Sequence, residues 1–336
     1  MKNQNVKGYR FKQLSIGLSL AICLVFIISM NTGLMSLSPK EILQTLTGNG
    51  TVQQELILYH FRLPRIFLSI LVGAGLAISG CVLQGVSRNP LADTGILGIN
   101  AGAGLAVMIF ISFFSSASGR SVFLLPLVAF IGALVAAFLV YRLTYKKNEG
   151  LNITRLILTG VSIGTGLTSL MIVFTIKLSP ERFQFLSTWI AGSIWGTSWP
   201  FVLALLPWLI LTIPFIYKKH TILDILSLGD ETSVGLGVHL EKERFILLVL
   251  AVALAGSSVS VSGGIGFIGL LSPHLAKQFV GSKHRYLIPL SALIGSLLLS
   301  IADTLARVVI APAEMPTGVI VSIIGAPYFL YVLSKK

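Results

Sequence analysis

Five histidines, two cysteines and twelve acidic residues are the side chains from which this chain could build a reactive centre. His60, His220, His239, His274 and His284 are scattered, without the spacing of a metal-ligand set. No pair of acids suits general acid–base catalysis. Cys23 and Cys81 both lie inside apolar runs and fit neither a disulfide framework nor a C-x-x-C metal site; they read as small apolar side chains. A phosphate-gripping G-x-x-x-x-G-K-[ST] loop is absent, so no ATP is bound that way. Gly264, Gly266 and Gly269 spell G-x-G-x-x-G after Val259-Ser260-Val261-Ser262. No βαβ unit surrounds them and no acidic ribose ligand follows, so they read as helix packing or a broken helix. The expectation is a chain that is not an enzyme by itself, with no cofactor and no bound metal.

Three other features stand out. Arg62-Leu63-Pro64-Arg65 precedes a long apolar run, and Arg307 follows another. Such arginines either snorkel at a membrane interface or form a basic docking patch for an acidic partner or anionic solute. Asp303, four residues before Arg307, shares its helix face and is placed to orient it. The second feature is the loop around Ser227-Leu228-Gly229-Asp230-Glu231-Thr232-Ser233-Val234-Gly235-Leu236-Gly237-Val238. Leu223, Leu226, Val234 and Leu236 alternate there with acids and glycines. It reads either as a plain loop or as one or two short surface helices that dock a soluble motor. The third is Ser87-Arg88-Asn89-Pro90-Leu91-Ala92-Asp93, where Asn-Pro ends a helix. It is a turn, or a turn that lines a gate.

The elements that must position these residues are set by composition. The chain has 336 residues, 54% hydrophobic and 11% charged, against about 25% charged in a soluble domain. Apolar runs fall near 14–35, 64–86, 94–114, 121–144, 153–176, 198–217, 244–262, 265–281, 286–306 and 314–333. At about 20 residues per crossing these are ten candidate spans. The first is read as an uncleaved helix, because it exceeds a signal h-region and no A-x-A site follows. The region 263–285 is interrupted by Gly263, Gly264, Gly266, Gly269 and Pro273 and is expected to hold a short or broken helix. The stretch 182–193 is too short to span and is expected across the outer mouth. Glycine clusters at Gly73, Gly75 and Gly80, at Gly98, Gly102 and Gly104, and at Gly160, Gly164 and Gly166 predict close helix packing.

The net charge of +13 sits in short clusters between apolar runs, with no aromatic-interleaved basic face for nucleic acid. With ten crossings and an inside N-terminus, 18 of the 25 Lys and Arg fall inside. Among these are Lys2, Lys7, Arg88, Lys147, Lys335 and Lys336. Seven fall outside, including Arg62, Arg65, Arg120 and Arg307. This asymmetry supports the span count and a cytoplasmic N- and C-terminus.

Taken together, these features resemble the permease family of vitamin B12 and iron–siderophore ABC importers. The likeness is carried by Arg62-Leu63-Pro64-Arg65, Gly73-Ala74-Gly75-Leu76-Ala77-Ile78-Ser79-Gly80, and Gln84 through Gly104 with Asn89-Pro90-Leu91-Ala92. It continues through Leu228-Gly229, Gly235-Leu236-Gly237, Gly264-Ile265-Gly266-Phe267-Ile268-Gly269-Leu270 and Pro273-His274. It ends with His284-Arg285, Ala302-Asp303, Ala306-Arg307 and Gly325-Ala326-Pro327. Glu314-Met315-Pro316 stands where Glu-Leu-Pro is commoner, a volume-conserving exchange.

The resemblance implies an all-α membrane protein of ten transmembrane helices per subunit, with the type II ABC importer fold of the vitamin B12 permease. One permease domain fills residues 1–336, with coupling helices at 224–240. It implies a second permease subunit (a related chain in preference to an identical one), two cytoplasmic ATPase subunits and an external, lipid-anchored or periplasmic binding protein. By the resemblance, Arg62, Arg65 and Arg307 receive acids of the binding protein. Asp224, Leu228, Gly229, Asp230, Glu231, Gly235, Leu236 and Gly237 couple to the ATPase. Asn89 and Leu91, with Ile153 and Thr154, form the cytoplasmic gate. The implied cargo is a ferric siderophore, most like the catecholates bacillibactin or enterobactin, entering through the plasma membrane. A cobalamin or haem importer is the alternative within the family. An ion-coupled carrier would need intramembrane ionisable residues and a half-to-half repeat, and neither stands out.

Overall fold

A computed structural model describes residues 2–33, 37–113, 121–146, 150–194 and 196–334. Arg120, Lys147, Lys335 and Lys336 of the charge tally lie outside the described residues. The described backbone is helical, with one isolated antiparallel bridge between Lys146 and Gly150. In chain order the helices are α1 (Lys2–Asn31), α2 (Pro39–Leu46), α3 (Val52–Glu55), α4 (Leu63–Ser87), α5 (Ile99–Phe113), α6 (Ser121–Thr144), α7 (Ile153–Thr175) and α8 (Pro180–Ile190). There follow α9 (Trp199–Lys218), α10 (His220–Leu226), α11 (Asp230–Gly235), α12 (Leu240–Ser262), α13 (Ile268–Val280), α14 (His284–Ala306) and α15 (Thr317–Ser334). A π-helical stretch, Leu56–Arg62, leads into α4, and a 3-10 turn, Thr94–Leu97, precedes α5.

Local chemistry sets the boundaries. Ser38 and Thr51 close capping boxes on α2 and α3 with Glu41 and Gln54. Pro39, Pro64 and Pro180 open their helices, where a missing N–H costs nothing. Asn152 caps α7, its Oδ1 accepting from the Arg155 amide at 3.1 Å. At the end of α4, Arg88 turns left-handed with φ of 51°, directly before Asn89-Pro90.

Seven described helices are long and apolar enough to cross a bilayer. Three of the ten expected runs are shorter as helices: α5, α13 and α15. At about 1.5 Å per residue, the 13 residues of α13 rise about 20 Å, short of the roughly 30 Å hydrocarbon layer. The expected break is present as the non-helical segment 263–267, with positive φ at Gly263 and Phe267.

α4 forms the centre, with the span that contains it 78% buried against 11% for α1. Its neighbours approach through small residues, as the glycine clusters predict. A Cβ at Gly73 would land on the Gly295 carbonyl of α14, and one at Gly80 on the Gly269 carbonyl of α13. The α5–α6 contact repeats the device with Gly102 and Gly132. α12 runs antiparallel to α4, with Ser79 Oγ donating to the Ala251 carbonyl at 2.8 Å and Gly75 facing Leu254 and Ser258.

The stretch expected across the outer mouth takes a different path. α8 lies alongside α5, antiparallel to it. Arg182 Nη1 donates to the Ser112 carbonyl at 3.0 Å near one end of α5. A Cβ at Gly104, near the middle of α5, would be 3.9 Å from Ile190. The cause is the apolar face of α8, whose Leu186 and Trp189 are buried at i, i+3 spacing.

Candidate functional site

At one end of the molecule the arginines meet. Arg62 closes the π-helical stretch, Arg65 sits in the first turn of α4, and Arg307 caps α14. Asp303, in the last turn of α14, holds two of them together. Arg65 Nε donates to its two oxygens at 2.9 and 3.2 Å, and Arg307 Nη2 lies 3.4 Å from Oδ2. Glu314, in the loop before α15, accepts from Arg65 Nη1 at 2.7 Å. Arg307 also donates to the Ser29 and Thr32 carbonyls at 3.2 and 3.3 Å, and Arg62 to the Met30 carbonyl. Arg62, Arg65 and Arg307 retain 5%, 8% and 5% exposure, so they face one another and their own fold. The orienting role expected of Asp303 is present, and its pair with Arg65 is closer than that with Arg307. Sequence reasoning did not find Glu314 as a partner, because the pair spans 249 residues.

At the opposite end, α10 and α11 form two short helices. Leu223, Leu226 and Val238 are buried and fasten them to the bundle. Leu228, Val234 and Leu236 are 58–61% exposed, and Glu231 is exposed beside them. Gly229 and Gly237 adopt positive φ at the turns, and Gly235 and Gly237 have open space around them. Asp224 accepts from the amide and Nδ1 of His284 at 2.8 and 2.7 Å. Burial opposes its ionisation, but these hydrogen bonds prevail and hold the carboxyl below the usual carboxylate range. Asp230 accepts from Arg88 and Arg244.

Beside them runs the Asn-Pro turn. Asn89 Oδ1 accepts from the Leu91 amide at 2.9 Å, closing an Asx turn. The Gln84 side-chain amide lies 3.2 Å from the Leu270 carbonyl and 3.4 Å from those of Ala92 and Gly269. Leu91 is 40% exposed. Ala92, Asp93 and Ile96 of this segment line one narrow cavity with Leu156 and Ile157 of α7. The turn and the start of α7 are therefore neighbours, although Asn89, Leu91, Ile153 and Thr154 do not line that cavity.

Between the two ends lies a cavity of about 630 Å³ that sequence reasoning did not find. Gly160, Gly164, Thr165, Thr168 and Ser169 of α7 line it, facing Asn100 of α5, Trp189 of α8 and Gly264. The signal was available: these small and hydroxyl residues recur at helical spacing along one face of α7. The irregular segments 88–98, 191–194 and 263–267 converge near this cavity. Gly318 at the start of α15 donates its amide to the Gly192 carbonyl at 2.8 Å, and the Gly264 amide lies 3.4 Å from the Trp189 carbonyl. Non-helical backbone at membrane depth survives where protein or a water-filled cavity faces it.

Comparison with known proteins places this architecture. The iron(3+)-hydroxamate import system permease FhuG of Bacillus subtilis is 50% identical over 320 residues, covering 94% of this chain and 95% of that one. The Fe(3+)-citrate import system permease YfmE of the same organism is 43% identical, covering 94% and 93%. A solved metal-chelate type ABC transporter in an inward-facing conformation superimposes with a TM-score of 0.84 at 28% identity, over 97% of this chain and all of that one. The model of the FecCD transport family matches residues 21–335. This multi-pass membrane chain, with its glycine-packed bundle and the cavity beside α7, belongs to the FecCD transport family.

Proposed function

We propose that the chain is the permease subunit of an ATP-driven importer that carries a ferric siderophore across the plasma membrane. One observation carries this reading. α7 is apolar enough to span, yet beside Val161, Met171 and Ile172 it turns Thr165, Thr168, Ser169 and two glycines into a 630 Å³ cavity. A lipid-facing helix gains nothing from such a face; a conduit for a polar chelate does. That volume falls within the roughly 300–1,000 Å³ usual for small-molecule sites. With α5, α13 and α15 counted as short crossings, the bundle has ten spans and both termini in the cytoplasm. The open side of α7 meets a second, related permease.

The exposed Val234 on α11, with Leu228 and Leu236 in the turns that flank it, then forms the apolar contact for a cytoplasmic ATPase. The turn with Asn89 and Leu91, and Ile153 and Thr154 at the start of α7, close the inner gate. An external binding protein presents acids to the cluster of Arg62, Arg65 and Arg307, which carries one more cation than anion. On cargo, the 50% identical relative imports an iron(3+)-hydroxamate, which favours a hydroxamate chelate over the catecholate expected from sequence.

The test is uptake of radiolabelled ferric hydroxamate, ferric catecholate, ferric citrate and cobalamin by cells lacking this chain. Ferric hydroxamate uptake is expected to fall to background and to return on complementation. Loss of catecholate uptake alone would restore the first cargo expectation. Undiminished uptake of all four, or uptake that persists without any partner ATPase, rejects the importer reading.

A further inference from the structure

The proposed coupling helices and the proposed gate are joined by a single carboxylate. Asp230 opens α11, and its Oδ1 accepts from Arg88 Nη2 at 2.8 Å and from Arg244 Nη2 at 2.6 Å. The three residues come from three segments. Arg88 is the first residue past α4 and begins the turn that holds Asn89 and Leu91. Arg244 lies near the start of α12, whose body packs on α4.

The two arginines are held differently. The Arg244 side chain is 5% exposed, while those of Arg88 and Asp230 are 37% and 44% exposed. Arg244 is thus fixed in the bundle, and Arg88 lies at its solvent edge. Arg88 also holds a φ of 51°, uncommon for a residue with a side chain. Its guanidinium reaches over Gly229, where an added Cβ would be 3.6 Å from Nη1. With the carboxylate in place, two like charges share one anion. Without it, they repel and the turn loses its tie to α11.

We infer that Asp230 is a positioning residue for gating: it pivots on buried Arg244 and passes movement of α11 to the 88–93 turn through Arg88. This rests on the coupling role proposed for α11. It adds that the signal leaves α11 by an ion pair inside the permease, a duty separate from contact with the ATPase.

The experiment uses the complete transporter, permease and ATPase subunits in lipid, with exposed Cys23 replaced by alanine. Spin labels are placed at Thr232→Cys on α11 and at Leu91→Cys on the turn, both exposed, and the response of each to ATP and magnesium is read. In the parent, both labels are expected to respond. In Asp230→Asn and in Arg88→Gln the Thr232 response remains, while the Leu91 response falls at least about fivefold, a usual size for coupling between two sites. The double variant is expected to fall no further, because both changes cut one link.

A Leu91 response as large in either single variant as in the parent overturns the inference, as does a double variant whose losses multiply. A parent in which the Thr232 label ignores nucleotide instead removes the coupling role itself. If Asp230→Asn does not assemble, the solvent-edge Arg88→Gln decides the question alone.

Discussion

Asp303 and Glu314 both pair with Arg65, yet the two carboxylates do different work. Asp303 is 1% exposed and serves Arg65, Arg307 and the Thr317 hydroxyl at once. Removing it leaves Arg65 with Glu314 alone and Arg307 with neutral carbonyls, a loss of about 3–5 kcal/mol by the measure of broken buried pairs. Asp303→Ala is therefore expected to lower the thermal unfolding temperature in detergent and the amount of inserted protein. Glu314 keeps 22% side-chain exposure and occupies the side of Arg65 that a docking acid would need. Glu314→Gln is expected to leave insertion intact and to tighten capture of the external binding protein about two- to fivefold, the range of a partly exposed pair. Weaker capture would show that Glu314 belongs to the docking surface itself. The arginines and Asp303 were legible in the sequence because two arginines beside Pro64, and a third four residues after an acid, are unusual at the edge of apolar runs. Their burial was not legible. It depends on the carbonyls of Ser29, Met30 and Thr32 and on Glu314, brought together only by the packing of α1 and α14 on α4.

At the scale of elements, the glycines foretold which helices touch. Gly80 and Gly269 are 189 positions apart, yet each is needed because the α4 and α13 backbones meet there without room for a side chain. Gly80→Ala forces these helices apart or bends them, an overpacking cost of about 1–3 kcal/mol or more. It is expected to depress the yield of folded permease. Gly17→Ala, where nothing lies within 4 Å, should leave yield unchanged or slightly raise it, since alanine is the better helix former by about 1 kcal/mol. Equal yields would mean that the small residues do not set the packing. The broken segment 263–267 was visible as a glycine cluster beside Pro273. The course of α8 was not, because an 11-residue amphipathic helix serves equally on a surface or along a neighbour. Leu186 and Trp189 settle it only once α5 is in place to receive them.

For the molecule as a whole, charge asymmetry and hydropathy disclosed a polytopic bundle, and a run of ordered blocks disclosed its family. The cavity beside α7 was overlooked. Its lining carries no charge, Trp189 joins it from α8, and threonine, serine and glycine within a span are also what close helix packing requires. Only geometry separates the two uses. Gly73 and Gly80 press on backbone, whereas Gly164 meets only Gly98 Cα at 3.9 Å. Thr168, on this same open face, borders the cavity. Thr168→Trp adds bulk where chelate would pass but disturbs no buried contact. Uptake is therefore expected to fall at least about tenfold, a barrier increase of about 1.4 kcal/mol, with insertion and ATPase capture preserved. Loss of capture of the second permease would assign this face to subunit contact. Unchanged uptake would move the path of the chelate away from α7 altogether, because a helix lining the passage cannot accept an indole there without narrowing it.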